Sequence, residues 1–154
     1  MRTIIQRVTQ AQVTINTKLH SKIDEGLLVL LGIHQNDNEK DADYLVNKLV
    51  KLRVFSDENG KMNLDINQIN GSILLISQFT LFADTKKGNR PSFIEAAKPE
   101  TAIPLYNYFI NKLNTQLNQP CKTGVFGADM QVQLINDGPV TLLLDSENTT
   151  QNLH

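Results

Sequence analysis

Gly26-Leu27-Leu28-Val29-Leu30-Leu31-Gly32-Ile33 is an unbroken apolar run with no polar residue at alternate positions. A strand that faces water on one side alternates, whereas a strand covered on both faces does not, so residues 27–33 are expected to be a strand between two layers. The run is far too short to cross a bilayer, which takes about 20 apolar residues. Ser72-Ile73-Leu74-Leu75-Ile76 has the same character and is a second buried strand. Upstream, residues 3–15 are rich in Val, Ile, Thr and Gln with partial alternation, which predicts a long half-buried strand. A polar stretch from Asn16 then leads to a short strand near Ser21-Lys22-Ile23.

Between the two apolar runs the period changes. Asn36-Asp37-Asn38 supplies helix-start residues, and Ala42, Leu45, Val46, Leu49 and Val50 recur at three- and four-residue spacing, predicting an amphipathic helix over 38–51. Leu52-Arg53-Val54-Phe55 reads as a strand and Asp57-Glu58-Asn59-Gly60 as a hairpin turn, since Asn-Gly tolerates positive φ. Residues 82–98 read as a long polar loop. Pro99 suits the first turn of a second helix, where its missing N–H costs nothing, and Ala102, Leu105, Tyr106, Phe109, Ile110, Leu113 and Leu117 form the apolar stripe. Residues 130–135 and 140–144 read as strands either side of Gly138-Pro139, with a frayed tail after them. Neither internal repeats nor a linker divide the chain. The order β-β-β-α-β-β-β-α-β-β lacks βαβ regularity. It predicts one α+β domain: a mostly antiparallel or mixed, barrel-like sheet backed by two helices.

Among 154 residues, 15 Lys and Arg balance 16 Asp and Glu. A protein that grips long stretches of nucleic acid is usually far more basic, so any RNA contact should be small and local. The single Cys121 excludes an internal disulfide framework and fits a reducing compartment. Met1-Arg2-Thr3-Ile4-Ile5-Gln6-Arg7 carries charge too early for a signal peptide, so a soluble, cytoplasmic protein without membrane contact is expected.

Conventional catalytic groups are sparse. His20, His34 and His154 are dispersed, and neither a metal centre nor an oriented nucleophile–base pair is suggested by them or by Cys121. The acidic residues between Asp37 and Asp43 suit the first turn of a helix, where carboxylates complement the dipole. No phosphate-cradling glycine motif is present, so no metal or nucleotide cofactor is expected.

Two short motifs remain. Ser77-Gln78-Phe79-Thr80-Leu81 directly follows the second apolar run. It could be ordinary polar residue usage at a strand end. Alternatively, the chain leaves the sheet here and turns N–H groups outward, where they can stabilise a developing oxyanion in acyl transfer without any ionisable side chain. Phe79 could stack on a nucleobase. Thr80 is a candidate nucleophile or hydrogen-bond partner, and the absence of a nearby base favours positioning. Asn136-Asp137-Gly138-Pro139-Val140-Thr141 could be a plain hairpin corner. Yet Gly-Pro is one of the few places where a cis peptide is affordable. A cis bond there would aim two carbonyls the same way, to hold an ammonium group beside a steric wall. Lys86, Lys87 and Arg90 lie in a small basic loop, either simply solvated or in contact with the phosphates of a nucleic-acid end.

Taken together, these segments resemble the D-aminoacyl-tRNA deacylase (D-tyrosyl-tRNA deacylase) family. The resemblance extends to Leu52-Arg53-Val54-Phe55 with Asp57-Glu58-Asn59-Gly60-Lys61-Met62-Asn63, to Arg90-Pro91-Ser92-Phe93 and to Gly124-Val125-Phe126-Gly127-Ala128-Asp129-Met130. It covers residues 1–146 as one domain and leaves residues 147–154 as a tail. It implies a homodimer with active sites at the subunit interface. The reaction implied is hydrolysis of the ester joining a D-amino acid, or glycine, to the 3′ end of tRNA. Gly138 and Pro139 would enter the partner's site, capture the α-ammonium group and exclude L side chains. Ser77 and Gln78 would line the pocket, with the Phe79 and Thr80 backbone near the reacting carbonyl. The terminal ribose 2′-hydroxyl would help activate water. Met130 and Ala102 fall where a pocket wall is implied, although ordinary core packing accounts for them equally well. Two other classes stay open: a tRNA-end binding protein without turnover, and a small-ester hydrolase indifferent to RNA.

Overall fold

The computed structural model describes residues 1–147. In chain order its elements are β1 (Arg2–Ile15), β2 (Lys18–Ile23), β3 (Gly26–Gly32), α1 (Glu39–Val50), β4 (Phe55–Ser56), β5 (Met62–Leu64), β6 (Ser72–Ser77), a 3₁₀ turn (Phe79–Phe82), α2 (Pro99–Asn114), β7 (Lys122–Thr123) and β8 (Gln131–Asp145). β1 is the spine. Its residues 11–15 pair antiparallel with β2, residues 2–8 with β3, and its other edge runs antiparallel to β8 almost throughout. Asn16 and Thr17, both at positive φ, make the tight turn into β2. β3 then pairs in parallel with β6, and β6 with β7. Ser21 Oγ donates to the Thr123 carbonyl at 2.8 Å, bringing β2 beside β7 and curling this mixed sheet toward a barrel.

The two apolar runs are strands with a core on each face. Leu27, Val29 and Leu31 of β3, with Ile73 and Leu75 of β6, pack under the helices; Leu28, Leu74 and Ile76 face the barrel interior with Val8, Ala11 and Val13. Neither strand has a solvent face, hence the lack of alternation. Gly26 permits their close approach, because a Cβ there would lie 1.8 Å from the Ser72 carbonyl oxygen. The helices share one layer: Leu45, Val46 and Leu49 of α1 and Leu105, Phe109 and Leu113 of α2 belong to one cluster. The Asn38 side chain caps α1 while the Asp41 carboxylate accepts from the Asn38 N–H at 2.9 Å, and Pro99 opens α2.

The largest departure from the sequence reading lies in the C-terminal strand. Residues 130–135 and 140–144 are not two strands around a corner; both pair with β1 as one strand, β8. The register passes from Gln6↔Thr141 to Val8↔Asn136, two steps on β1 against five on β8, so three extra residues are extruded as a bulge carrying Gly138-Pro139. Smaller differences follow the same logic. Of residues 52–55 only Phe55 enters a ladder, with Ser56, and β2 begins earlier than expected, at Lys18. The stretch 82–98 is tied down by bridges between Asp84 and Ser92 and between His34 and Ala96. The expected tail lies, beyond Glu147, outside the described residues. Among the described residues no helix is long and apolar enough to cross a membrane.

Candidate active site

The end of β6 is where the sheet opens. Gln78 N–H donates to the Leu31 carbonyl at 2.8 Å, after which the chain folds into the 3₁₀ turn, with Leu81 N–H on Gln78 O (3.2 Å) and Ala83 N–H on Thr80 O (3.1 Å). The first N–H groups of such a turn have no partner within it. Among the described residues, the N–H groups of Phe79 and Thr80 donate no hydrogen bond. Gly32 lies directly beneath: a Cβ there would be 2.9 Å from Leu81 Cβ and 3.1 Å from Gln78 O. Arg2 holds the turn from outside. Its Nη1 donates to Leu81 O and its Nε to Asp145 Oδ2, both at 2.9 Å, and its guanidinium stands 4.7 Å above the Phe82 ring. Phe82 is buried, its ring 5.2 Å from that of His34.

A cleft of about 290 Å³ opens beside this turn, close to the lower end of small-ligand pockets. Ser77, Gln78 and Phe79 form one wall, Phe126 to Met130 the other, and Ile76 and Val132 complete the lining. A small adjoining hollow is bounded by Ser77, Phe79, Phe126, Ala102, Ala97 and Ile33. Phe126 thus bridges the two spaces, held edge-on against Tyr106 at 5.9 Å. The Tyr106 hydroxyl donates to Leu75 O at 3.1 Å, and burial pushes this phenol well above its ordinary range. Gly124 makes room for Met130, since a Cβ there would meet its sulfur at 2.4 Å.

Phe79 is half exposed at the rim, its ring 5.1 Å from Phe93 in an edge-on pair. Phe93 follows a loop closed by reciprocal 2.8 Å hydrogen bonds between Asp84 and Ser92, and on that loop Lys86, Lys87 and Arg90 are all exposed. The sequence reading placed these basic residues near the motif but missed Phe93 and Phe126 as site residues. The signal for Phe126 was present, as an aromatic between Gly124 and Gly127 in a segment that the family resemblance already included. Thr80 is exposed, its Oγ1 accepting from Gln78 Nε2, and it does not line the cleft.

Gly138 and Pro139 do not line this cleft either; they project, exposed, from the β8 bulge, and the bond between them is cis. Gly138 has φ 129° and sits so close to Arg7 that a Cβ would be 3.0 Å from the guanidinium. Arg7 Nε donates to Asp137 O at 3.1 Å and pairs with the Asp137 carboxylate, and Nη1 donates to Val54 O at 2.6 Å. Asn136 closes the other side, its Oδ1 accepting the Val140 N–H. Among the described residues no three His, Cys, Asp or Glu side chains are grouped to hold a metal. Burial raises the Cys121 thiol to about 12, so little thiolate exists near neutral pH.

Comparison with known proteins decides the family. The family model described as D-Tyr-tRNA(Tyr) deacylase matches residues 4–145. The chain belongs to this family. A relative from Cytophaga hutchinsonii named D-aminoacyl-tRNA deacylase is 63% identical over 145 residues, 94% of this chain and 97% of its own length. One of the same name from Flavobacterium psychrophilum is 56% identical over 148 residues, 96% and 99% of the two chains. A solved structure described as c-Myc DNA Unwinding Element Binding Protein superposes with a TM-score of 0.89 at 42% identity, covering 94% of this chain and 98% of that one. The structure of a probable eukaryotic D-amino acid tRNA deacylase shares the fold at 15% identity, with a TM-score of 0.78 over 93% and 97%. The deacylase resemblance carried by the two motifs therefore holds across nearly the whole chain, as does the expected mixed, barrel-like sheet with two helices.

Proposed function

We propose that this chain is a D-aminoacyl-tRNA deacylase, an ester hydrolase that releases D-amino acids from mischarged tRNA as proofreading in translation. The observation that carries the reading is the cleft at the end of β6, walled by the strand-end motif in a chain that matches named deacylases almost end to end. The terminal adenosine and its amino acid would occupy this cleft, with the ester carbonyl at the Phe79 and Thr80 N–H groups. Water adds to the carbonyl carbon, the N–H groups stabilise the oxyanion, and collapse expels the ribose 3′-oxygen, which takes up a proton. No histidine or carboxylate in the lining suits a general base except the rim residue Asp129, which favours a role for the neighbouring 2′-hydroxyl in activating water.

Chirality is assigned to Gly138 and Pro139 of a second copy in a homodimer. Their exposure outside their own cleft, on a segment braced from both sides, suits insertion into another subunit. The carbonyls of this segment would hold the α-ammonium group, and an L side chain would collide with its backbone. Glycine has no side chain to reject, so glycyl-tRNA is a substrate too. Lys86, Lys87 and Arg90 would meet phosphates of the acceptor end, tied to the cleft through Phe93 and Phe79, while Ala102 and Met130 shape the pocket. These roles place the protein in the cytoplasm with tRNA. The resemblance to a structure described as binding a DNA element raises duplex binding as a second reading. The near-neutral charge and the confinement of these three basic residues to one loop favour a single nucleic-acid end.

Deacylation of matched D-aminoacyl-, L-aminoacyl- and glycyl-tRNA by the purified protein tests the reading. Loss of the D and glycyl esters with the L ester spared is expected. Equal cleavage of D and L would refute the chiral role of Gly138-Pro139, and no cleavage would favour a binding protein. Undiminished cleavage when the terminal 2′-hydroxyl is absent would point to a general esterase.

A further inference from the structure

The bulge in β8 leaves residues 137–140 without ladder partners, and one side chain outside the cleft spans its base. Asn136 Oδ1 accepts the Val140 N–H at 2.8 Å, and Asn136 Nδ2 donates to Thr141 Oγ1 at 2.9 Å. The carboxamide thus uses its acceptor and its donor to join the two ends of the bulge. Thr141 Oγ1 also accepts from Gln6 Nε2 at 3.3 Å, which fastens the base to β1. Arg7 grips the opposite arm, through Asp137. Without the Asn136 contacts the Val140 N–H loses its acceptor, and the arm after Pro139 keeps only the packing of Val140 and the pairing of Thr141 with Gln6.

We propose that Asn136 is a positioning residue that fixes the direction and reach of the Gly138-Pro139 segment, and so governs discrimination between D and L substrates more than the rate of ester cleavage. The inference rests on the chiral role given to Gly138-Pro139 above. Asn136 lines no part of the cleft in its own chain, so its influence passes through the backbone it holds. A single partly exposed hydrogen bond contributes little to global stability. A shift of a fraction of an ångström in a steric wall, by contrast, changes which substrates fit.

The test measures kcat/KM on matched D- and L-aminoacyl-tRNA, with thermal unfolding, for the wild type, Asn136→Ala and Asn136→Asp. Asn136→Ala is expected to lower the D-to-L ratio about tenfold while leaving Tm nearly unchanged, in line with the loss of one or two positioning hydrogen bonds. Asn136→Asp should recover most of the ratio, because one carboxylate oxygen can accept the Val140 N–H and the other the Thr141 hydroxyl. An unchanged ratio in Asn136→Ala would overturn the inference while leaving the deacylase reading intact. So would D and L activities that fall together with Tm, which marks a residue that only supports the fold. An Asn136→Asp variant as impaired as Asn136→Ala would overturn the hydrogen-bond account. A wild type that does not discriminate at all would instead sink the chiral reading, and this inference with it.

Discussion

The 3₁₀ turn over residues 79–82 and the bulge over residues 137–140 are both irregular backbone next to a strand, yet they are built in opposite ways. The turn is part of the core: Phe82 is buried, Gly32 lies against Leu81 and Gln78 with no room for a Cβ, and Gln78 is the last rung of the sheet. The bulge reaches the core only through Val140; Gly138 and Pro139 are exposed at its tip, and it is held by the side chains of Arg7 and Asn136. One segment therefore cannot move without unpacking the protein, and the other can be re-aimed while the fold survives. In the proposed deacylase this separates the surface assigned to the reacting carbonyl from the surface assigned to chirality.

That contrast predicts where damage falls. Gly32→Val should have the largest effect, because even its Cβ would meet Leu81 at 2.9 Å and branching adds bulk under the turn. Overpacking of this kind costs about 2 kcal/mol, seen as a fall in Tm of roughly 4–8 °C, with deacylation of D and glycyl esters lost together. A variant with normal Tm and activity would show that the turn is not rooted in the core. Arg7→Ala strikes the other segment. It removes charged hydrogen bonds to Asp137 and Val54, about 2 kcal/mol of positioning, or roughly thirtyfold in the D-to-L ratio. Its Tm should fall less than that of Gly32→Val; a larger fall with the ratio preserved would reverse the comparison. Replacing Lys86, Lys87 and Arg90 together by Ala should raise KM for tRNA about tenfold at low salt and flatten its salt dependence by about one unit of log–log slope per lost phosphate contact. Unchanged KM and slope would detach the basic loop from substrate.

How much of this was legible from sequence depends on whether the cause was local. Leu27 to Leu31 and Ile73 to Ile76 declared themselves because burial on two faces leaves no place for a polar residue. The helices were equally plain, with stripe, cap and Pro99 agreeing. The path of β8 was not, because Gly138-Pro139 has the local chemistry of a turn and only pairing with β1, more than a hundred residues away, makes it a bulge. Ser77, Gln78 and Phe79 were named from the strand-end motif and Met130 and Ala102 from the family resemblance, and the fold brings the first four to one cleft, with Ala102 in the adjoining hollow. The braces stayed hidden. Asn136 stood in a quoted motif without a role, while Arg2 and Arg7 act through Leu81, Asp145 and Val54, far along the chain, and nothing in the local composition marks those two as different from other polar strand residues.

Within the turn itself, backbone and side chain can be told apart at Thr80. Its hydroxyl is exposed, lies outside the cleft lining and accepts from Gln78 Nε2, whereas its N–H is one of the two donors at the start of the turn without a partner among the described residues. If the peptide group does the work, Thr80→Ala keeps the N–H and should hold kcat/KM on D-aminoacyl-tRNA within about threefold, the loss of one exposed hydrogen bond. A Thr nucleophile would instead leave almost no activity. Steady-state deacylation by the Ala variant separates the two directly. Its Ser counterpart sharpens the result: Thr80→Ser should match the wild type in either case, so a loss in Ala that Ser restores would move the chemistry from the main chain to the hydroxyl.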